Sequence, residues 1–552
     1  MKIKEWEIWH TFASYFVRPI GDLEKVAKNL IQSGLLRCAF VDNGNYFWLH
    51  NDKVFAGHAE ITLGTNRQEA QINFSPDVPS DFEREMLLNS CYFRFVELQN
   101  FARAKNLPPK YIRGHLGECL LFSEGKTYNV YPSIKLFETG IILIEMRFLS
   151  PDEDLKLDNF IGEYVNLYRT SFDNALVPPG LRITAQHAFA LSEKPNSRLL
   201  LKIASYFLDR EIENIIQKNS FTDRGGDFEF QYVPLWDVDE ADTQDNESEK
   251  AKYAGYTIYD LAKDIFHAVS ITIPGLRRGT SLLWKPNTPL GIGSFSSGRP
   301  HIHLLKFKGQ TSTAQQNDEK FQNELGWIMG GSFEKGSDLG KQFLPKNSRM
   351  FSDYGAYIAE QGTLWVWSRK GLAKKTHTGT PKNVEIVFPN QATCEMLEYG
   401  HLLHRRMLES VGSLNNPDTA LKERENLVEL ESALHMPSNY GELSTLLFDG
   451  WNSMGTHKLK VAISELIAIR HTETSTKEGR RIETYQIILS LIFGVLAIPT
   501  FATGVIKPFW NLYSLWTPEN KDAADLWFFI IALVTILLLI LALTRSILRR
   551  RP

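Results

Sequence analysis

Cysteine is scarce in this chain: four in 552 residues. Cys38, Cys91, Cys119 and Cys394 lie far apart, with no metal-ligand spacing. That excludes a disulfide framework and a zinc ribbon, and it fits reduced, mostly buried thiols. Net charge is also nearly absent, at −3, so no global electrostatic footprint points to a nucleic-acid duplex as partner. The N-terminus, MKIKEWEIWHTFASYF, lacks the apolar core of a signal peptide. Enzyme signatures are missing too. There is no Walker loop, no GxSxG nucleophile turn and no HExxH pair. Single lysines such as Lys194 and Lys202 have no partner that would mark them as catalytic. The expectation is therefore a protein that is not an enzyme, with no catalytic residues and no bound metal.

The strongest positive signal is C-terminal. Two apolar runs, 487–506 and 526–543, are joined by a short polar loop and followed by Arg545, Arg549, Arg550 and Arg551. Each has about the 20 residues that a helix needs to cross a bilayer. Lys477, Arg480 and Arg481 precede the first run, so the positive-inside rule places both termini in the cytoplasm. The fold class expected is an α+β cytosolic region followed by long helices that continue into two C-terminal transmembrane helices. The expected domains are 1–388, a mixed sensor region with an acidic loop at 236–250, then 389–486, a helical stalk, then 487–552, the membrane unit. The implied location is the inner membrane of a prokaryote, with the lipid bilayer as a partner.

Within the first region, Leu36–Val41 and Tyr46–His50 flank the hairpin signal DNGN. Strand-like runs follow at Glu60–Leu63, Ala70–Phe74, Glu118–Phe122 and Ile141–Phe148, with helical spacing over Phe82–Ala104. Asp152–Thr170, Arg198–Gln217 and Tyr259–Val269 read as helices. Tyr354–Ala359 and Thr363–Ser368 read as a second hairpin, and Asn383–Phe388 as a short strand. Gln391–Val411, Leu421–His435 and Glu442–Arg481 read as helices, with Gly450 and Gly455 as breaks in the last.

The stretch Pro274–Gly309 combines glycines with Arg277, Arg278, Arg299 and several lysines. Glycines let a ligand approach the backbone, and arginines suit phosphate. Arg299, His301 and His303 alternate and share one face of a strand. Arg277, Arg278, Arg299, His301 and His303 are the candidate ligand-binding residues for a small anionic or nucleotide ligand. The plainer reading of this segment is a pair of loops and an edge strand with a polar outer face. Arg113 and His115, in YIRGHLG, are a second candidate, and His401 with His404, at i and i+3, a candidate metal pair.

The C-terminal layout resembles the CorA family of divalent-cation channels. The stretch Pro499-Thr500-Phe501-Ala502-Thr503-Gly504-Val505-Ile506 is similar to the family's Pro-Leu-Thr-Phe then Gly-Ile-Tyr run, but Lys507-Pro508-Phe509 replaces its Gly-Met-Asn signature. The resemblance implies a homopentamer, with Thr500, Thr503, Lys507 and Asn511 lining a pore. A lysine ring would repel Mg2+. The whole resembles the CorA-type membrane effectors of type III CRISPR antiviral defence, and implies a nucleotide-gated ion channel. The alternatives are a divergent magnesium transporter and a membrane-anchored enzyme or scaffold.

Overall fold

The computed structural model describes residues 1–16, 19–50, 53–63, 70–75, 81–100, 109–178, 180–182, 233–236, 255–273, 296, 298–349, 351–375, 385–412, 428, 441–512 and 521–549. The chain divides into two units. Unit 1 is Met1–Ser410 with Glu425–Ile463, and unit 2 is Val411–Arg424 with Ser464–Pro552.

Unit 1 is built on one sheet of 15 strands among the described residues. These are β1 (Lys2–Tyr15), β2 (Cys38–Val41), β3 (Asn45–His50), β4 (Lys53–Leu63), β5 (Ala70–Ser75), β6 (Tyr111–His115), β7 (Cys119–Ser123), β8 (Lys126–Phe137), β9 (Ile141–Leu149), β10 (Leu155–Lys156), β11 (Asn174–Val177), β12 (Val233–Pro234), β13 (Arg299–Phe307), β14 (Tyr354–Ala359) and β15 (Gly362–Trp367). The main path runs β14-β15-β13-β1-β9-β8-β6-β2-β3-β4-β5. Its pairs are antiparallel except β13 with β15, which run parallel. The register at the centre is Trp9 opposite His301 on one side and Arg147 on the other.

Strand alternation gives the sheet two unlike faces. On one face lie Ile8, Phe12, Ile112, Ile134, Ile142, Ile144, Ile302 and Leu304 in a continuous apolar core. Three helices cover it: α1 (Leu23–Gln32), α3 (Ile258–Thr272) and α4 (Ala314–Gly330). On the other face lie Glu7, Thr11, Arg113, Ser133, Lys135, Glu145, His301 and His303, all buried. Helices α2 (Asp81–Asn100) and α5 (Phe388–Gly412) supply partners to this face, and α6 (Gly441–Ser453) packs beside α5 through Leu446, Leu447 and Trp451.

Both expected hairpins form, as do the strands at Glu60–Leu63 and Ala70–Phe74. Asn383–Phe388 is not a strand: residues 385–386 are helical and α5 starts at Phe388. The apolar run Ile386-Val387-Phe388 is buried, and periodicity cannot tell so short a run from a helix start. Asp152–Thr170 is broken into a short strand, one α-helical turn, a π-turn and a 3-10 turn. Arg198–Gln217 and the acidic loop after Trp236 lie outside the described residues, as does nearly all of Leu421–His435.

The expected transmembrane pair is corrected. Among the described residues no helix is long and apolar enough to cross a membrane. In unit 2, α7 (Thr456–Phe501) is long, but it carries Lys458, Lys460, Glu465, Arg470, Glu473, Lys477, Arg480 and Arg481 ahead of the apolar run. That run then leaves the α-helix at Phe501 for a π-turn, Ala502–Ile506, and a six-residue helix, Lys507–Leu512. In the last helix, α8 (Lys521–Arg549), side chains from residue 539 onward lie outside the described residues, and with them the end of 526–543. The transmembrane architecture, the ion-channel description and the inner-membrane location with cytoplasmic termini rested on those spans and do not stand. The seam of the unit 2 hairpin buries Ile498, Ala502, Phe528 and Ala532.

Candidate functional site

The site is the polar layer between the sheet and α5. It begins from Arg113 on β6, a strand whose alternation points Tyr111, Arg113 and His115 to one face. Arg113 Nη2 donates to both carboxylate oxygens of Glu395, at 2.6 and 2.7 Å, and Nη1 donates to Glu145 Oε2 at 3.2 Å. Lys135 Nζ donates to Glu395 Oε2 at 2.5 Å and also to Glu97 of α2. Tyr111 Oη donates to Glu97 Oε2 at 2.5 Å. Gln391 Nε2 donates to Glu145 Oε1 at 2.8 Å, and Ser133 Oγ to Oε2 at 3.3 Å. The Arg113 guanidinium also lies 4.0 Å from the Phe93 ring centroid. Burial pushes the Glu145 carboxyl up to about 8, Glu395 adds to the rise, and Arg113 opposes it. Glu395 is lowered although burial works against it, because Arg113 and Lys135 favour its charge.

A second cluster continues the layer toward the surface. Arg299 Nη1 donates to Glu398 Oε2 at 2.6 Å, and Nε to the Glu360 carbonyl at 2.7 Å. Its Nη2 lies 3.3 Å from His401 Nε2. An arginine only donates, so His401 accepts at Nε2 and its Nδ1 proton goes to Thr456 Oγ1 at 2.9 Å. His401 is lowered to about 3, first by burial and then by Arg299. Thr363 Oγ1 accepts from Trp365 Nε1 at 3.1 Å and lies 3.0 Å from His301 Nδ1. With Thr363 donating to Nδ1, the His301 proton sits on Nε2 and faces Glu398 Oε1 at 3.7 Å. Neither of those two atoms has a hydrogen-bond partner. Burial holds His301 well below the usual imidazole range and raises Glu398, against the pull of Arg299.

The structure treats the candidate residues unequally. Arg299, His301 and His303 do share one face of β13, but β13 lies inside the sheet between β15 and β1. The outer face expected there is therefore an interior one, and both histidines are completely buried. His303 is lowered to about 4 by burial, and its Nε2 lies 3.3 Å from Gln391 Oε1. Arg299 alone of the three keeps contact with solvent, its side chain being 14% exposed. Arg277 and Arg278 lie outside the described residues.

Arg113 and His115, the second candidate, lie on β6, with Arg113 at the heart of the layer. His115 Nε2 meets Ser90 Oγ at 2.8 Å. His401 and His404 do not converge, since His404 Nδ1 faces the Gly400 carbonyl at 2.7 Å. Among the described residues, no group of three or more His, Cys, Asp or Glu could hold a metal ion. In unit 2, Thr500, Thr503 and Asn511 are exposed, Thr503 Oγ1 donates back to the Pro499 carbonyl at 3.0 Å, and Lys507 pairs with Asp525 at 2.8 Å.

Sequence reading missed Glu97, Glu145, Gln391, Glu395 and Glu398. The signal was present on α5, where Gln391, Glu395 and Glu398 follow at helical spacing among Cys394, Met396 and Leu397. No family model, curated protein or solved structure matches this chain.

Proposed function

We propose that this chain is a ligand-responsive regulatory protein, in which unit 1 senses a small anionic ligand of nucleotide type and α5 and α7 carry the response to unit 2. One observation carries the reading. Glu398, on α5, is held by Arg299, the one candidate of the described set that reaches solvent, and α5 itself crosses the boundary between the units. α7 crosses the boundary as well, and its first residue, Thr456, bonds His401 in the same cluster. Two of the three chain connections between the units, those at Ser410–Val411 and Ile463–Ser464, are thus made by helices that contribute to one small polar network.

The chemistry of a response follows from Arg299. A phosphate competes for a guanidinium through the same bidentate geometry as a carboxylate. Drawing Arg299 away leaves Glu398 buried without its cation. Breaking a buried pair in this manner costs about 3–5 kcal/mol, and about 5.5 kcal/mol converts a two-state equilibrium from one side to the other. The loss of a single pair is therefore on the scale of a switch. Self-association suits unit 2 as the output. Leu489, Phe493, Val505, Leu512, Val534 and Leu538 are large apolar side chains exposed on its helices, and helices apolar on all sides pack against further protein.

The test is calorimetric titration of the full chain with mononucleotides and short cyclic oligonucleotides. A saturable heat with one of them, at least tenfold weaker in Arg299→Gln and in the double variant Arg277→Ala/Arg278→Ala, is the expected result. No binding across the panel, or binding indifferent to both variants, contradicts the reading.

A further inference from the structure

The layer under α5 does not balance its charge. Around Arg113 its fully buried groups are two cations, Arg113 and Lys135, and three carboxyls, Glu97, Glu145 and Glu395, while Glu398, buried further along α5, is paired with Arg299. The nearest other cations, Arg147 and Arg94, are each matched by a further carboxylate, Glu7 and Asp42, and add no net positive charge. Arg147 Nε donates to Glu7 Oε1 at 2.7 Å, and Arg94 lies between Asp42 at 3.8 Å and Glu97 at 3.9 Å. An isolated excess charge in a dry interior is far more costly than taking up a proton. One of the three carboxyls must therefore be neutral, and the bonding identifies which. Glu395 accepts at both oxygens from Arg113 Nη2 and at Oε2 from Lys135 as well. Glu97 receives Lys135 and Tyr111. Glu145 shares one 3.2 Å contact with Arg113 and otherwise has only the neutral donors Gln391 and Ser133. Beside it in register stands Thr11, whose buried Oγ1 has no hydrogen-bond partner. The nearest imidazoles are held neutral, His303 by burial and the part-buried His115 by desolvation together with Arg113 and Arg147.

We propose that Glu145 is a proton-operated latch on α5: neutral, it completes a balanced layer that holds the helix on the sheet; ionised, it leaves one negative charge in excess and the helix lifts. This inference needs no ligand, and it stands or falls apart from the reading above. The direction is set by linkage. A carboxyl raised to about 8 in the docked state and ordinary once exposed favours docking fully below about 4.5. That advantage is lost as pH rises through the interval and is gone above about 8. Glu395, which is lowered, acts only at the acid end, where its contribution falls away.

The test is hydrogen exchange of the full chain, read at the α5 amides and corrected for intrinsic exchange, from about pH 5 to about pH 9. Protection of α5 is expected to fall by up to about tenfold per pH unit and then level off near pH 8. Glu145→Gln mimics the neutral carboxyl, and its α5 protection is expected to be flat. Glu395→Gln removes a competing carboxylate, so two cations face two carboxyls, and the midpoint is expected to move down toward the ordinary carboxylate range. A flat wild-type profile overturns the proposal. So does a wild-type slope that survives in Glu145→Gln, or a midpoint unmoved in Glu395→Gln. The last variant keeps the proposal testable if the first does not fold.

Discussion

At the residue scale, the side chains that matter most are charged ones with no access to water. Arg113 touches Glu395, Glu145 and the Phe93 ring at once. Replacing it with methionine leaves Glu395 with Lys135 as its one cation. Such a change is expected to cost about 3–5 kcal/mol, measured as the shift in chemical unfolding midpoint, and Arg113→Lys is expected to recover little because the planar guanidinium that bridges Glu395 and Glu145 is lost. A substitution that costs less than about 1 kcal/mol would show that the layer relaxes easily around the loss. A backbone contact gives an independent check on the packing. A Cβ on Gly326 would stand 1.7 Å from the Gly340 carbonyl oxygen. Neither partner is a flexible side-chain tip, so Gly326→Ala is expected to destabilise by about 3 kcal/mol. An unchanged unfolding midpoint would show that α4 does not pack against residues 340–343 as described.

At the scale of elements, the question is what holds α5 in place. The apolar side chains Phe388, Met396, Leu397 and Leu402 are buried, and each contributes about 1.5–3 kcal/mol. A buried ion network is close to neutral in stability against an apolar replacement. The grip is thus apolar, and the charged layer supplies the sensitivity of the helix to protons and ions. One helix end was legible in the chain, while Gly450, also expected as a break, lies inside α6. Gly455, expected as a break, separates α6 from α7 and adopts φ +77°, a conformation glycine reaches without strain. Gly455→Ala is expected to cost about 1 kcal/mol by thermal unfolding; no change would mean that α6 and α7 join differently.

The hairpins at DNGN and Glu360-Gln361-Gly362 were legible for the same local reason, because turn chemistry is written in adjacent residues. The polar layer was not. Arg113 and Glu395 are far apart in the chain, and their pairing depends on a sheet order that no local pattern encodes. His301 and His303 were read correctly as sharing a strand face and wrongly as facing outward, since alternation gives a face but not what covers it. The C-terminal runs misled for a related reason. Apolar length was legible, but the departure from the α-helix after Phe501 was not.

At the scale of the whole molecule, two of the three connections between the units are made by helices, α5 and α7, that each contribute a residue to one polar network. A device of this kind responds to whatever changes the charge there, and proton and ligand act on different residues of it. Glu145 responds to pH, while Arg299 offers a guanidinium to an anion. The two inputs are expected to be separable. In Arg299→Gln, the pH dependence of α5 protection should persist, and in Glu145→Gln the response to ligand should persist. If either variant abolished both responses, one coupled site would have to replace the two described.

The most direct measurement is hydrogen exchange of the full chain with and without a nucleotide that binds it, at a pH below the Glu145 transition so that the latch is closed. If Glu398 on α5 is the point of control, ligand will change protection in α5 and at the start of α7 together, and Arg299→Gln will remove both changes. Ligand that alters neither helix, or alters them equally in Arg299→Gln, would contradict the account.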